Sequence, residues 1–160
     1  MSLSVRRYRP EDRAACALVF YRAVREGAAE FYDAAQRAAW APSPVPDPEK
    51  PDKLAGQWCH VAERAGAVVG FMSMAQDGYL DMAFVLPEEM GRGTARALHD
   101  AVLADARAAG LTRLTVRASH LARRFFGRHG WREDARVDFA ADGQVYDVFR
   151  MSRSLEGEAP

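Results

Sequence analysis

The chain has 160 residues, 49% of them hydrophobic and 28% charged, an ordinary globular composition that excludes a disordered chain. At that length a single domain buries roughly two-thirds of the surface its unfolded form exposes. The 22 basic and 22 acidic side chains cancel, so the basic excess of a nucleic-acid binder is missing, although arginine is dense over residues 113–132.

Residues 1–7 run straight into charge with no apolar stretch, so no leader is expected, and no apolar run approaches the ~18 residues of a membrane span. Val5–Arg9 reads as a short strand, and Pro10-Glu11-Asp12 opens a helix with acidic groups in its first turn. Ala15, Leu18, Val19, Arg22 and Ala23 carry that helix to about Arg25, and Gly27 stops it. Ala28–Trp40 reads as a second helix with Phe31, Ala35, Ala38 and Ala39 at core spacing. Pro42, Pro44, Pro46, Pro48 and Pro51 then rule out helix interior and central strand alike, leaving an exposed loop, either functional or a solvated excursion.

Asp52–Trp58 allows one helical turn. His60–Glu63, a turn at Arg64-Ala65-Gly66, Ala67–Met74, a turn at Gln76-Asp77-Gly78 and Tyr79–Leu86 form an antiparallel meander, since such turns are too short for parallel crossovers. Gly93–Ala109 is a long helix closed by Gly110, Leu114–Ala118 a strand, and Leu121–His129 a short helix ended by Gly130. Trp131–Phe139 and Val145–Ser152 pair around Asp142-Gly143. The order is β-αα-βββ-α-β-α-ββ, an α/β (α+β) fold on a mixed, mostly antiparallel sheet, with one domain over 1–155 and a loose tail at 156–160. Cys16 and Cys59 are far apart and form no CxxC pair; they allow one disulfide but no disulfide framework, which points to a reducing, cytoplasmic setting.

Residues 82–98 carry the most chemistry. A strand runs through Phe84 and Val85 into a turn, Met90-Gly91-Arg92-Gly93, which opens directly into a helix at Thr94 and Ala95. About four backbone N–H groups lack partners at a helix start, and with the helix dipole they favour an anion. Two readings stand: a seat for phosphate or pyrophosphate, or a plain turn made by Gly91 and Gly93.

Val85-x-Pro87 followed by Gly91-x-Gly93-x-Ala95 resembles motif A of the GNAT acetyltransferases. Ser119-x-x-Ala122-x-x-x-Phe126-x-x-x-Gly130-Trp131 is similar in spacing to a second segment of that family, and Val69-Gly70-Phe71 extends the likeness across most of residues 59–132. The resemblance implies a twisted central sheet flanked by helices and acetyl-CoA as acyl donor. Its pyrophosphate then lies on Met90–Ala95 and its pantetheine arm by Phe84, Val85, Ser119, Ala122 and Phe126. It implies transfer of an acetyl group to a primary amine of a small molecule or peptide. Three departures stand out: Met90 where the family has Gln or Arg, Ser119 for the usual Asn, and Phe126 for a Tyr that protonates the departing thiolate. Water or a neighbouring hydroxyl, Tyr79 or Ser119, is left for that task, and Tyr79 reads equally as a wall of the substrate site.

Period-2 alternation puts Tyr79, Asp81 and Ala83 on one strand face unless a bulge intervenes. Asp81, a carboxylate in an apolar strand, reads either as the base for the amine or as the partner of an arginine across the sheet. Tyr32, Gln36 and Trp40 fall one helical turn apart; the resemblance makes them the acceptor pocket, while aromatic residues at that spacing are more often core. His120 and His129 have no cysteine partner at zinc spacing, so no metal site is expected. Arg92, Arg96, Arg123 and Arg124 fit either the cofactor's phosphates or solvated helix faces.

Three rival readings remain. One is a non-catalytic acyl-CoA sensor, for which Phe126 speaks. Another is an NADP-dependent oxidoreductase, which Arg96 at the third glycine of G-x-G-x-x-G and the antiparallel meander oppose. The last is an interaction module built on the proline-rich loop. No nucleic-acid or membrane partner is expected, and a homodimer through the end strands is compatible with the pattern.

Overall fold

A computed structural model of the chain describes residues 2–158. The strands are β1 (Leu3–Arg7), β2 (Trp58–Arg64), β3 (Ala67–Met74), β4 (Tyr79–Val85), β5 (Arg113–Ala118), β6 (Arg132–Ala141) and β7 (Gln144–Ser154). The helices are α1 (Arg13–Arg22), α2 (Ala34–Trp40), α3 (Thr94–Ala108) and α4 (His120–Arg128), with 3-10 turns at Pro10–Asp12, Lys53–Gly56 and Pro87–Glu89. The seven strands form one sheet in the order β1-β2-β3-β4-β5-β7-β6. Every neighbouring pair is antiparallel except β4 with β5, which are joined through α3. This is the mixed, helix-flanked sheet that the sequence pattern predicts.

Two segments differ from that reading. The first helix gives way after Arg22 to a wider π-type turn over Ala23–Gly27. The second starts at Ala34, not Ala28, because Asp33 caps it: its carboxylate accepts the Gln36 N–H (2.7 Å) while the Gln36 side-chain oxygen accepts the Asp33 N–H (2.8 Å). Residues 28–32 form a turn instead, so Phe31 lies at the surface and Tyr32, 3% exposed, points inward.

Side-chain alternation along the central strands sorts the core onto two sheet faces. Leu98, Val102 and Ala106 of α3 and Phe126 of α4 pack against Ala62, Met72, Leu80 and Val116. Cys16 and Val19 of α1 pack on the other face, against Cys59, Val61 and Phe71. A third cluster joins Ala28 and Tyr32 to Tyr146 and Val148 of β7, and Trp40 packs against it.

Gly78 sits where β4 joins its parallel neighbour. Its φ of +96° is left-handed, its carbonyl accepts the Thr115 N–H (3.0 Å), and an added Cβ would lie 2.8 Å from the Arg113 carbonyl oxygen. Gly66, in an exposed turn with φ +78°, would meet nothing within 4 Å. Gly78→Ala therefore combines conformational strain with a backbone clash and is expected to cost about 2–4 kcal/mol. That lowers the melting temperature by roughly 5–12 °C. Gly66→Ala carries the strain alone and should lose clearly less; equal losses in a thermal melt would contradict the assignment.

Candidate active site

The strand pairing sets up the site. β4 and β5 are hydrogen-bonded neighbours only at Tyr79↔Thr115 and Leu80↔Val116; beyond these the strands part. On the other side of β4, the register with β3 slips between Met74↔Leu80 and Ser73↔Met82, leaving Asp81 as the extra residue of a β-bulge. The bulge changes which faces the side chains take. Leu80, Ala83 and Val85 belong to the core under α3, whereas Met82 and Phe84 pack on the α1 side. Ala83 therefore does not share a face with Tyr79 and Asp81, as uninterrupted alternation would have it. The Leu86 N–H bonds to Val69 of β3 (2.9 Å), so by alternation Ala83 and Val85 turn their N–H groups toward the edge that β5 has vacated.

Past β4, the chain makes a 3-10 turn and reaches the glycine loop. Gly91 and Gly93 have φ of +79° and +84°, which a residue with a Cβ adopts at a cost of about 1–2 kcal/mol. A Cβ on either would project into open space, so the backbone here is bare and approachable. Gly93 is the N-cap of the 15-residue α3, where unpaired N–H groups and the helix dipole favour negative charge. Met90 is half-exposed beside the loop and contributes no charge.

The sequence did not single out Glu89, yet it organises this loop. It is 3% exposed and accepts from the Thr94 hydroxyl (2.7 Å), from Arg64 (3.0 Å) and from Arg92 (3.0 Å). Burial alone would raise its pKa; the Arg64 guanidinium, the Thr94 hydroxyl and Arg92 together outweigh burial and hold it below the usual carboxylate range. The only sequence signal was an acidic pair, Glu88-Glu89, before a glycine turn; of these, Glu88 lies exposed and pairs with Arg22 (2.7 Å).

Below the parting strands lies a cavity of about 1050 Å³. Tyr79, Asp81, Phe84, Ser119, Ala122 and Phe126 all line it, as do Tyr32 and Trp40, so eight of the predicted residues do meet. Val85 and the loop residues 90–95 are not among its walls. Asp81 accepts from the Gln57 amide (3.0 Å) and pairs with Lys53 (3.1 Å), a lysine before β2 rather than an arginine across the sheet. Burial raises the Tyr79 pKa above its ordinary value, against the opposing pull of Arg117, so the phenol stays protonated at neutral pH. Ser119 is the N-cap of α4, accepting the Ala122 N–H (3.2 Å). Phe126 is fully buried, 5.1 Å from the Trp131 ring, and Trp131 in turn donates to His99 (2.9 Å). Burial pushes His99 down to about 3, so it accepts that bond as a neutral ring and ties α3 to the end of α4.

The far side of the cavity is aromatic. Tyr32 and Trp40 line it, but Gln36 does not: its amide donates to the Val145 carbonyl (2.8 Å) and its oxygen serves the α2 cap. Phe20, Phe139 and Tyr146 join the wall without having been foreseen, because nothing local in the sequence marks them as cavity residues. The proline-rich loop closes the same side and is held there by Arg13, which donates to the carbonyls of Asp47 (3.1 Å) and Lys50 (2.8 Å). Among the described residues, no group of three or more His, Cys, Asp or Glu is arranged to hold a metal, and no helix is long and apolar enough to cross a membrane.

With this geometry in view, similarity to known proteins is informative. Residues 23–153 match the family model described as an acetyltransferase (GNAT) domain. The chain is 34% identical over 150 residues to YafP of Escherichia coli (strain K12), an uncharacterized N-acetyltransferase, covering 94% of this chain and 95% of that one. A GCN5-related N-acetyltransferase from Rhodopseudomonas palustris superposes with a TM-score of 0.90 at 32% identity over 97% of both chains. At 14% identity, the PaiA N-acetyltransferase of Thermoplasma acidophilum, solved in complex with coenzyme A, shares the fold with a TM-score of 0.78, over 96% of this chain and 99% of that one. These likenesses displace the dinucleotide-oxidoreductase reading, which the single parallel strand pair had already weakened. Parted strands, a bare glycine loop at a helix head and a match over most of the chain lead to one conclusion: this protein belongs to the GNAT family of acyltransferases.

Proposed function

We propose that residues 1–155 act as one acetyltransferase domain that moves the acetyl group of acetyl-CoA to the primary amine of a small molecule or peptide by direct attack. The observation that carries this reading is the opening between β4 and β5, whose vacated edge borders the cavity and whose strand β4 leads into the glycine loop at the head of α3. The coenzyme A held by the PaiA relative supports the same donor. The residues present fit it: bare backbone and helix N–H groups at 90–95 suit a pyrophosphate, and Ser119, Ala122, Phe84 and Phe126 suit the pantetheine arm. The two buried free thiols, Cys16 and Cys59, fit a reducing, cytoplasmic setting.

In this reading the lone pair of the neutral amine forms a C–N bond to the thioester carbon, and charge gathers on the carbonyl oxygen. The Ala83 and Val85 N–H groups meet that charge in place, at no cost of reorganisation. As the C–S bond breaks, the electron pair leaves on sulfur, and the thiolate takes the proton of the Tyr79 phenol. Asp81, oriented by Gln57 and Lys53, accepts the amine's proton through water. Tyr32 and Trp40 bound the acceptor, and Gln36 fixes α2 against β7 through the Val145 carbonyl. A second reading, an acyl-CoA sensor without turnover, draws support from Phe126, which has no proton to give; amine-dependent thiol release from acetyl-CoA separates the two.

Tyr79→Phe is expected to lower kcat about 10²-fold with the KM for acetyl-CoA little changed, and the wild-type rate should not decline before about pH 9, because the phenol's pKa is raised above ~10. Asp81→Asn should lower kcat/KM about 10²-fold near neutrality and recover at higher pH, where the free amine is abundant. Normal rates across pH for either variant, measured by thiol release, would remove that residue from the mechanism.

Glu89 provides a separate check on the loop. Its folded pKa is depressed, so its ion pairs stabilise fully above the ordinary Glu pKa of ~4.3, and that stability is lost as pH falls from there through the lower folded value. Glu89→Gln should therefore melt below wild type at pH 7, with a gap of about 3 kcal/mol, and the gap should shrink only below about pH 4.3. A weaker Kd for acetyl-CoA in isothermal titration should accompany it. An unchanged melting temperature and Kd would show that the buried carboxylate does not organise the loop.

A further inference from the structure

We infer that the amine this site acetylates is carried on an aromatic or other flat apolar skeleton, and is neither polyhydroxylated nor polycationic. The inference rests on the acetyltransferase reading and concerns the acceptor half of the same cavity.

Trp40 is the hub of the wall. Its ring lies edge-on to those of Phe20 (6.3 Å) and Tyr32 (5.7 Å), and inclined at 65° to those of Phe84 and Tyr146 (both 6.1 Å). The two tyrosines offer this cavity rings, not hydroxyls. The Tyr32 hydroxyl donates to the Asp147 carbonyl (2.8 Å) and accepts the His120 N–H (3.0 Å), and the Tyr146 hydroxyl donates to the Gln36 carbonyl (2.8 Å). On the same side of the cavity, Pro42, Pro46, Pro48 and Pro51 join its lining. Proline has no backbone N–H, so this side adds more apolar surface and fewer donors. Flat rings between such walls gain by stacking and by burial of apolar area.

Four basic and four acidic side chains line the cavity; Asp47, Lys50 and Asp142 are exposed to solvent, and the other five are engaged. Arg13 is bound to loop carbonyls, Lys53 to Asp81, and the Arg117 guanidinium lies 3.6 Å from the centre of the Phe139 ring. Asp52 accepts the Tyr8 hydroxyl (2.6 Å) and caps Leu54 (3.2 Å). A sugar-like or multiply charged amine would surrender water to these walls and find few groups to replace it. Selection against such acceptors is therefore built from missing partners as much as from stacking.

The test compares 2-phenylethylamine, kanamycin and spermidine as acceptors at saturating acetyl-CoA by thiol release. The same amines are titrated against the CoA-bound protein by isothermal calorimetry. Phenylethylamine should show the highest kcat/KM, by at least about tenfold. Trp40→Leu should abolish most of that preference through KM, Trp40→Phe should restore part of it, and both should keep the wild-type rise in melting temperature with acetyl-CoA, which shows that they fold. Kanamycin or spermidine turned over as well as phenylethylamine, or a preference untouched in Trp40→Leu, would overturn the inference. If no amine reacts but phenylethylamine alone binds, and Trp40→Leu loses it, the transferase reading fails and the cavity's preference for a flat apolar amine stands. If phenylethylamine neither reacts nor binds, the acceptor class itself is overturned.

Discussion

β4 keeps only two residue pairs with β5 before the strands diverge, and the site follows from that separation. A strand edge without a partner carries N–H groups that need satisfaction, and inside a fold this is a liability unless something fills the gap. Here the gap borders the large cavity, and the backbone groups of Ala83 and Val85 face the vacated side. The bulge at Asp81 belongs to the same event: it lets β4 stay registered with β3 while bending from β5, and it brings a carboxylate to the cavity wall. Gly78 holds the point where the two strands still meet. A short stretch of pairing thus decides where the strands open and which groups surround the opening.

Beside that opening, the loop at the head of α3 is held rigid by charge buried in an unusual place. A carboxylate beside the head of a helix would ordinarily oppose the preference for an anion that the positive end of the helix dipole creates there. Glu89 avoids this because Arg64, Arg92 and the Thr94 hydroxyl consume its acceptor capacity, leaving the surroundings cationic overall. The network joins the β2–β3 hairpin, the glycine loop and the first residue of α3, so the backbone conformation that presents N–H groups outward does not depend on the glycines alone. Glycine permits the shape at residues 91 and 93, and the buried ion pairs select it. On the cavity's far side, aromatic rings do the comparable work, with the two tyrosine hydroxyls turned away to backbone partners.

Most of the sheet was legible in the sequence because its signals are local. The Arg64-Ala65-Gly66 and Gln76-Asp77-Gly78 turns fix the meander, and Gly110 and Gly130 mark helix ends. The strand–glycine turn–helix segment at 82–98 was readable for the same reason, and it carried the family resemblance. What escaped was set by longer-range or competing local effects. The Ala-rich run at 28–40 has helical propensity throughout, but Asp33 and Gln36 form a capping box that moves the start to Ala34, which takes Tyr32 out of the helix and into the core. The bulge at Asp81 leaves no mark in an apolar strand. Glu89 went unremarked because its partner Arg64 lies 25 residues away, and Phe139 and Tyr146 stayed unassigned within the last hairpin because the cavity they line is made by other elements.

The central claim is that the parted strands and the glycine loop together receive acetyl-CoA. The most direct measurement is the melting temperature with and without acetyl-CoA, with NADPH as control. Ligand at 100 times its dissociation constant adds about 2.7 kcal/mol to stability. For a domain of this size that is a rise of roughly 5–10 °C, expected with acetyl-CoA and absent with NADPH. No rise with acetyl-CoA, or an equal rise with both, would contradict the account.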